Sequence, residues 1–258
     1  MSDTSDRTNK ATFRFYEELN DFLPEEKRKQ AVQYSFQGHP SVKDAIEAQG
    51  VPHVEVDLIL VNDQSVDFQY QLKDSDRISV YPVFESLDIS PIIRLRPEPL
   101  RESKFVLDVH LGKLARLLRL AGLDTLYRND YKDEELVQIS LRDRRIILTM
   151  DRCLLKRKAV THGLWIRSRN PKDQLVEILK RLDLYDKLDP FSRCLQCNTL
   201  VQSVDKDSIK HRLQPRTLKE METFTICPAC DKIYWQGSHY DRMRERLKQW
   251  LKVVRNPD

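Results

Sequence analysis

Phe105-Val-Leu-Asp108-Val-His-Leu111-Gly-Lys-Leu-Ala-Arg116-Leu-Leu-Arg-Leu-Ala-Gly122 decides the fold. A short apolar run ends in Asp108 and is followed by an amphipathic helix. Leu111, Leu114, Ala115, Leu118 and Ala121 form an apolar stripe at helical spacing, and Lys113, Arg116 and Arg119 recur on another face. Gly122 stops the helix. The pattern continues outward. Asp133-Glu134-Glu135 opens a second helix, and Arg145-Ile-Ile-Leu-Thr149 reads as a buried parallel strand that runs into Met150 and Asp151. Gly163–Ile166 supplies another strand, and Pro171 stands at the first position of a helix reaching Leu182. This alternation predicts a parallel α/β sheet, whose ligands gather at the carboxyl ends of the strands.

Asp108, Asp133 and Asp151 come from separate elements and are expected to converge above that sheet. Oxygen donors alone favour Mg or Mn, and such an ion activates water and stabilises charge on a phosphodiester oxygen. Each aspartate taken singly also reads as a helix cap or surface acid. Glu134 and Glu135 suit the helix dipole equally well.

Composition narrows the setting. The chain has 258 residues, 33% of them charged and 40% hydrophobic, which excludes general disorder. Its mean hydropathy is -0.59 and no apolar stretch is long enough to span a bilayer, so no membrane role is expected. The polar start MSDTSDRTNK lacks the apolar core of a secretory signal, and residues 1–9 read as a disordered leader of a cytoplasmic protein. Charge is uneven: residues 1–90 carry a net -8, 91–190 a net +7 and 191–258 a net +5. A basic body attracts polyanions such as RNA, and an acidic module folded onto it would inhibit it. Two ordinary solvated surfaces explain the same split. Ser90-Pro91 and Arg96-Pro97-Glu98-Pro99 mark a linker, and Asp189-Pro190 a second break. The expected segments are therefore 10–90, 100–190 and 191–258.

In the first segment, Ala11–Phe15, Tyr34–Phe36, Asp57–Val61 and Arg77–Tyr81 read as strands, Ser41–Ala48 as a helix capped by Ser41, and Asn62-Asp63 as a turn. With Val61-Asn62-Asp63 and the run Leu72-Lys-Asp-Ser-Asp-Arg-Ile-Ser-Val-Tyr-Pro82, this order resembles the sulfur-carrier subgroup of the ubiquitin-like β-grasp fold. Sulfur carriers end in a free Gly-Gly, whereas Val83-Phe84-Glu85-Ser86 runs into more chain. A docking or gating module with a protein partner is what remains.

Four of the 5 cysteines form two Cys-x-x-Cys pairs, Cys194/Cys197 and Cys227/Cys230, separated by 29 residues. Two such knuckles supply four thiolates in tetrahedral array, which suits structural Zn and leaves no open catalytic position. Asn198 and Asp231 stand where glycine often follows a knuckle, and both types tolerate left-handed backbone. Arg242, Arg244, Arg246 and Lys248 lie on a closing helix that reads either as a cationic surface or as a solvated helix with Met243, Leu247, Trp250 and Leu251 inward. Trp235, Ser238 and His239 are candidate RNA contacts, with a structural role for His239 as the alternative.

The runs Phe105–Asp108, Leu111–Gly122 and Arg145–Arg152, with Asp133-Glu-Glu-Leu136, resemble the PIN-like nucleases of the mutator-seven C-terminal domain family over roughly residues 100–255. The resemblance implies an α/β PIN-like parallel-sheet domain, preceded by an α+β β-grasp domain and followed by a small zinc ribbon. It implies a metal-dependent ribonuclease in which Asp108, Asp133 and Asp151 bind the catalytic ion. Thr149 would shape the pocket, and Lys113, Arg116 and Arg152 would hold phosphate, with Arg119 extending the RNA-binding series. Positions 152–158 offer no fourth acid, so one metal suffices or another acid, Asp130 or Glu134, completes the set. Met150 stands where relatives commonly carry a basic residue. The expected substrate is transfer RNA or another structured RNA. A non-catalytic RNA-binding adaptor using the same basic surface is the alternative.

Overall fold

A computed structural model describes residues 8–82, 95 and 103–255. The leader before residue 8 and the linker residues 90–91 and 96–99 lie outside the described residues. In chain order the elements are β1 (Asn9–Phe15), β2 (Ala31–Phe36), α1 (Val42–Ala48), β3 (Val56–Val61), β4 (Gln64–Ser65), β5 (Arg77–Pro82) and β6 (Phe105–Leu107). They continue with α2 (Gly112–Leu120), β7 (Thr125–Tyr127), α3 (Asp133–Asp143), β8 (Ile146–Thr149), α4 (Arg152–Leu155), β9 (Gly163–Trp165) and α5 (Pro171–Arg181). The last are β10 (Gln202–Val204), α6 (Lys206–Ile209), α7 (Pro215–Glu220), β11 (Phe224–Ile226), β12 (Ile233–Trp235) and α8 (Ser238–Arg255). Two compact units result, Met1–Glu102 with Asp151–Trp165, and Ser103–Met150 with Ile166–Asp258.

In the first unit the strand order is β2-β1-β5-β3-β4. β1 pairs antiparallel with β2 and parallel with β5, and β5 pairs antiparallel with β3, which is the β-grasp arrangement. Alternation along β1 sends Ala11, Phe13 and Phe15 into a core shared with Val42, Ala45 and Ile46 of α1 and with Ile78 and Val80 of β5. Ser41 caps α1, its hydroxyl accepting the Asp44 N–H at 3.1 Å. Asn62 and Asp63 both have positive φ, 48° and 68°, as a tight hairpin turn between β3 and β4 requires. Buried Asp76 holds this end together. Its carboxylate accepts from Asn62 Nδ2 (2.9 Å), the Lys73 N–H (2.8 Å) and the Tyr70 hydroxyl (3.1 Å).

Residues 151–165 pack with this module rather than forming a separate lobe. The fully buried Glu55 carboxylate accepts the Trp165 N–H at 2.6 Å, and His53 places Nδ1 2.6 Å from Glu47 Oε1 and Nε2 2.9 Å from the Val160 carbonyl. Lys156 donates to the Glu47 carbonyl at 2.9 Å, and Phe22 packs on Trp165 with ring centroids 4.8 Å apart. Apart from the local His53–Glu47 contact, they join positions more than a hundred residues apart. Glu55→Ala removes the carboxylate that accepts the Trp165 N–H. It is expected to destabilise this clasp by about 2 kcal/mol, seen as faster hydrogen exchange of the Trp165 amide with β1 and β5 still protected.

In the second unit β7, β6 and β8 pair in parallel in that spatial order, with Phe105 opposite Thr125 on one side and Ile146 on the other. α2 buries Leu114, Ala115 and Leu118, and Leu111 and Ala121 at its ends are buried too, as the stripe predicted. The approach of Tyr127 fixes Gly112, because a Cβ there would lie 2.6 Å from the Tyr127 hydroxyl oxygen. Gly122, at φ +89°, ends the helix, and a Cβ there would meet the Asp189 carbonyl oxygen at 2.1 Å. β10, β11 and β12 form an antiparallel sheet that carries the cysteine knuckles. Among the described residues no helix is long and apolar enough to cross a membrane.

Candidate functional site

Topology puts the three aspartates after adjacent parallel strands. Asp108 follows β6 directly, Asp133 starts the helix after β7, and Asp151 comes two residues beyond β8. Asp108 is buried and caps a 3-10 turn over Val109–Leu111. Its Oδ1 accepts the His110 N–H at 2.8 Å, and its Oδ2 accepts the Thr149 hydroxyl and the Met150 N–H, the latter at 3.1 Å. Three of the roughly four acceptor positions of this carboxylate are thus occupied, which fixes its orientation and leaves capacity for one cation. Thr149 is fully buried, and its hydroxyl is spent on Asp108.

Asp133 is half-buried at the first position of α3, where negative charge meets the positive end of the helix. Exposed Asp151 accepts the Cys153 N–H at 2.7 Å and caps α4. Of the two fourth-acid candidates, Asp130 is paired with Arg128 at 2.7 Å, and Glu134 is exposed. Arg128 also reaches Glu135 at 3.0 Å.

The cationic residues divide. Lys113 and Arg116 are exposed on α2. Arg119, expected to face RNA, is 4% exposed, and its guanidinium donates to the carbonyls of Thr125 (2.9 Å), Leu195 (3.2 Å) and Gln196 (2.7 Å). The reason is helical geometry. Three-residue steps drift by roughly 60° each, so the third cation of the series swings to the buried side. Arg119→Ala strands three carbonyls and is expected to lower stability by about 3 kcal/mol, read from chemical denaturation, and to weaken metal retention by the adjacent knuckle. Arg152, expected to hold phosphate, lies instead with its guanidinium 3.9 Å from the Trp165 ring centroid and 5.4 Å from that of Phe22. This stacking serves the clasp on residues 151–165.

The cysteines come together as their spacing implied. Among the described residues they are the one group of three or more metal-type side chains whose ligand atoms all lie within 4.8 Å of one another. Cys194 and Cys230 sulfurs are 3.5 Å apart, and Cys197 and Cys227 sulfurs 3.3 Å. Tetrahedral thiolates on zinc sit about 3.8 Å apart, so the array fits that ion. Each knuckle closes with the same pair of backbone bonds. Cys194 N–H donates to the Thr199 carbonyl and Asn198 N–H to the Cys194 carbonyl, with Cys227, Lys232 and Asp231 repeating the pattern. Asn198 and Asp231 are indeed left-handed, at φ 75° and 59°. Burial pushes the Cys197 thiol up, but hydrogen bonds from Thr199 and the neighbouring sulfurs outweigh it and hold it at about 6.

Two features here escaped sequence reading. Asn198 not only turns the knuckle but locks it to the sheet, accepting the Thr125 N–H at 2.8 Å and donating to Asp124 at 2.8 Å, where Arg145 also donates at 2.6 Å. Tyr234 Oη accepts the Leu195 N–H and lies 3.1 Å from Cys194 Sγ, supporting the sulfur from behind. The signal for the first was an asparagine where glycine is common. The second gave none.

The family model described as the Mut7-C RNAse domain matches residues 103–247, and that described as Mut7-C ubiquitin matches residues 8–88. No curated protein and no solved structure matches the chain.

Proposed function

Because the chain belongs to the Mut7-C RNAse domain family, whose model covers residues 103–247, we propose that it is a metal-dependent ribonuclease hydrolysing RNA phosphodiester bonds. The observation that carries the reading is the coincidence of that match with three aspartates following three adjacent parallel strands. Asp108, Asp133 and Asp151 would hold Mg or Mn. When bound, such an ion supplies an activated water and neutralises charge developing on the phosphodiester oxygens. The donor set is all oxygen, as these ions prefer, and Asp108 retains one acceptor position.

The protein's own groups set the stage. Thr149 and the Met150 N–H fix the Asp108 carboxylate so that it need not reorient, and exposed Lys113 and Arg116 draw the RNA backbone. Cys194, Cys197, Cys227 and Cys230 hold a structural zinc. The ubiquitin-like module steadies residues 151–165, the segment that begins with Asp151, which favours a bracing role over an inhibitory cover.

The test is cleavage of end-labelled transfer RNA and unstructured RNA by the zinc-loaded protein with Mg or Mn supplied or withheld. Metal-dependent product is expected. Binding without product in either metal would leave the RNA-binding adaptor reading instead.

A further inference from the structure

The second unit contains a cleft of about 720 Å³ that none of the catalytic groups uses. Its volume lies inside the roughly 300–1,000 Å³ of small-ligand sites. Trp235, at the end of β12, and Tyr240, in the first turn of α8, both line it, and Trp235 is 42% exposed, unusual for so large an apolar side chain. The Tyr240 ring packs on Phe191 with centroids 4.2 Å apart, which holds it in place. A second recess of about 480 Å³ adjoins the first, sharing Phe191, Gln236 and Tyr240, and is bordered by Arg244 and Lys248.

An aromatic recess next to a cationic one matches the repeat of a nucleic-acid strand, base then phosphate. Single-strand binders use this combination because every base offers a face for stacking and every linkage a charge. A duplex buries its bases and cannot use the aromatic part. The segment 191–258 carries a net +5, which favours a polyanion over an acidic or neutral surface.

We propose that the groove between the last ribbon strand and α8 binds single-stranded RNA, an unpaired base stacking on Trp235 and Tyr240 while the neighbouring phosphate meets Arg244 and Lys248. It rests on the ribonuclease reading only in taking RNA as the polymer. The groove gives the enzyme a handle on unpaired segments that lies outside the carboxylates.

The test is binding of a fluorescent unstructured RNA and of a blunt RNA duplex to full-length zinc-loaded protein, with the folding of each variant checked by zinc content and circular dichroism. Trp235→Ala is expected to weaken single-strand binding about 10-fold or more and to leave duplex binding within about twofold. Trp235→Phe should restore binding. Charge reversal at Arg244 and Lys248 together should weaken it and flatten its salt dependence. Wild-type binding by Trp235→Ala overturns the proposal. So does a loss confined to the charge-reversed variant, or one equal for duplex and single strand. Those results leave the ribonuclease reading standing if the wild type still cleaves, whereas a wild type that neither binds nor cleaves RNA overturns both.

Discussion

Asp108→Asn is expected to reduce metal-dependent RNA cleavage by at least about a thousandfold, equal to about 4 kcal/mol of barrier, while RNA binding stays near the wild-type level. Asparagine keeps the size of the side chain but presents one oxygen where the carboxylate presents two. The His110 N–H on one side and the Thr149 hydroxyl and Met150 N–H on the other then compete for it. A stability loss of about 1–3 kcal/mol follows from the unmatched donor. Asp151→Asn separates the two effects. Asp151 is exposed and caps a four-residue helix through the Cys153 N–H, so its replacement should cost less stability than that of buried Asp108 and remove nearly all activity. If both variants fold and cleave normally, the aspartates are caps.

Removing zinc is expected to unfold the ribbon. The buried apolar residues described between 191 and 255 are Cys194, Ile209, Phe224, Cys227 and Leu247, and two of these belong to the cysteine cluster. So small a core does not offset the chain entropy of its three short strands. Zinc binding contributes about 10–16 kcal/mol in small thiolate domains, which makes the metal the main source of order here. Chelation should therefore expose the β10–β12 amides to exchange while β1–β5 remain protected. It should also remove the Leu195 and Gln196 carbonyls from Arg119 and loosen α2. Cys197→Ser should act in the same direction. Retained amide protection in β11 after complete zinc removal would show that the ribbon stands without its metal.

Local patterns carried most of the architecture. The strand ending in Asp108, the stripe on α2, Gly122, the Ser41 cap and the Asn62-Asp63 turn each depend on neighbours within a few residues, and the structure realises them. The cysteine spacing carried the cluster because two knuckles constrain their own geometry. β7 went unread, since Thr125-Leu-Tyr127 is too short for alternation to register. So did α6 and α7, which fill the spacer between the cysteine pairs.

Side-chain roles were harder to read because distant contacts decide them. Arg119 was expected to contact RNA and Arg152, by the family resemblance, to hold phosphate, yet one is spent on carbonyls 76 and 77 residues away and the other lies on Trp165 and Phe22. Glu55 looked like one more acid of an acidic module, and it anchors the Trp165 backbone. Charge counting suggested a module that repels RNA or covers the site. What charge counting did not reveal is the set of contacts that the module makes with residues 151–165.

Manganese titration of the zinc-loaded full-length protein, followed by electron paramagnetic resonance, tests the carboxylate centre most directly. A carboxylate-bound catalytic ion requires the wild type to take up manganese at a site lost in Asp108→Asn and in Asp151→Asn and weakened in Asp133→Asn, with cleavage rising in step with occupancy. Equal manganese uptake by the wild type and all three variants would contradict it.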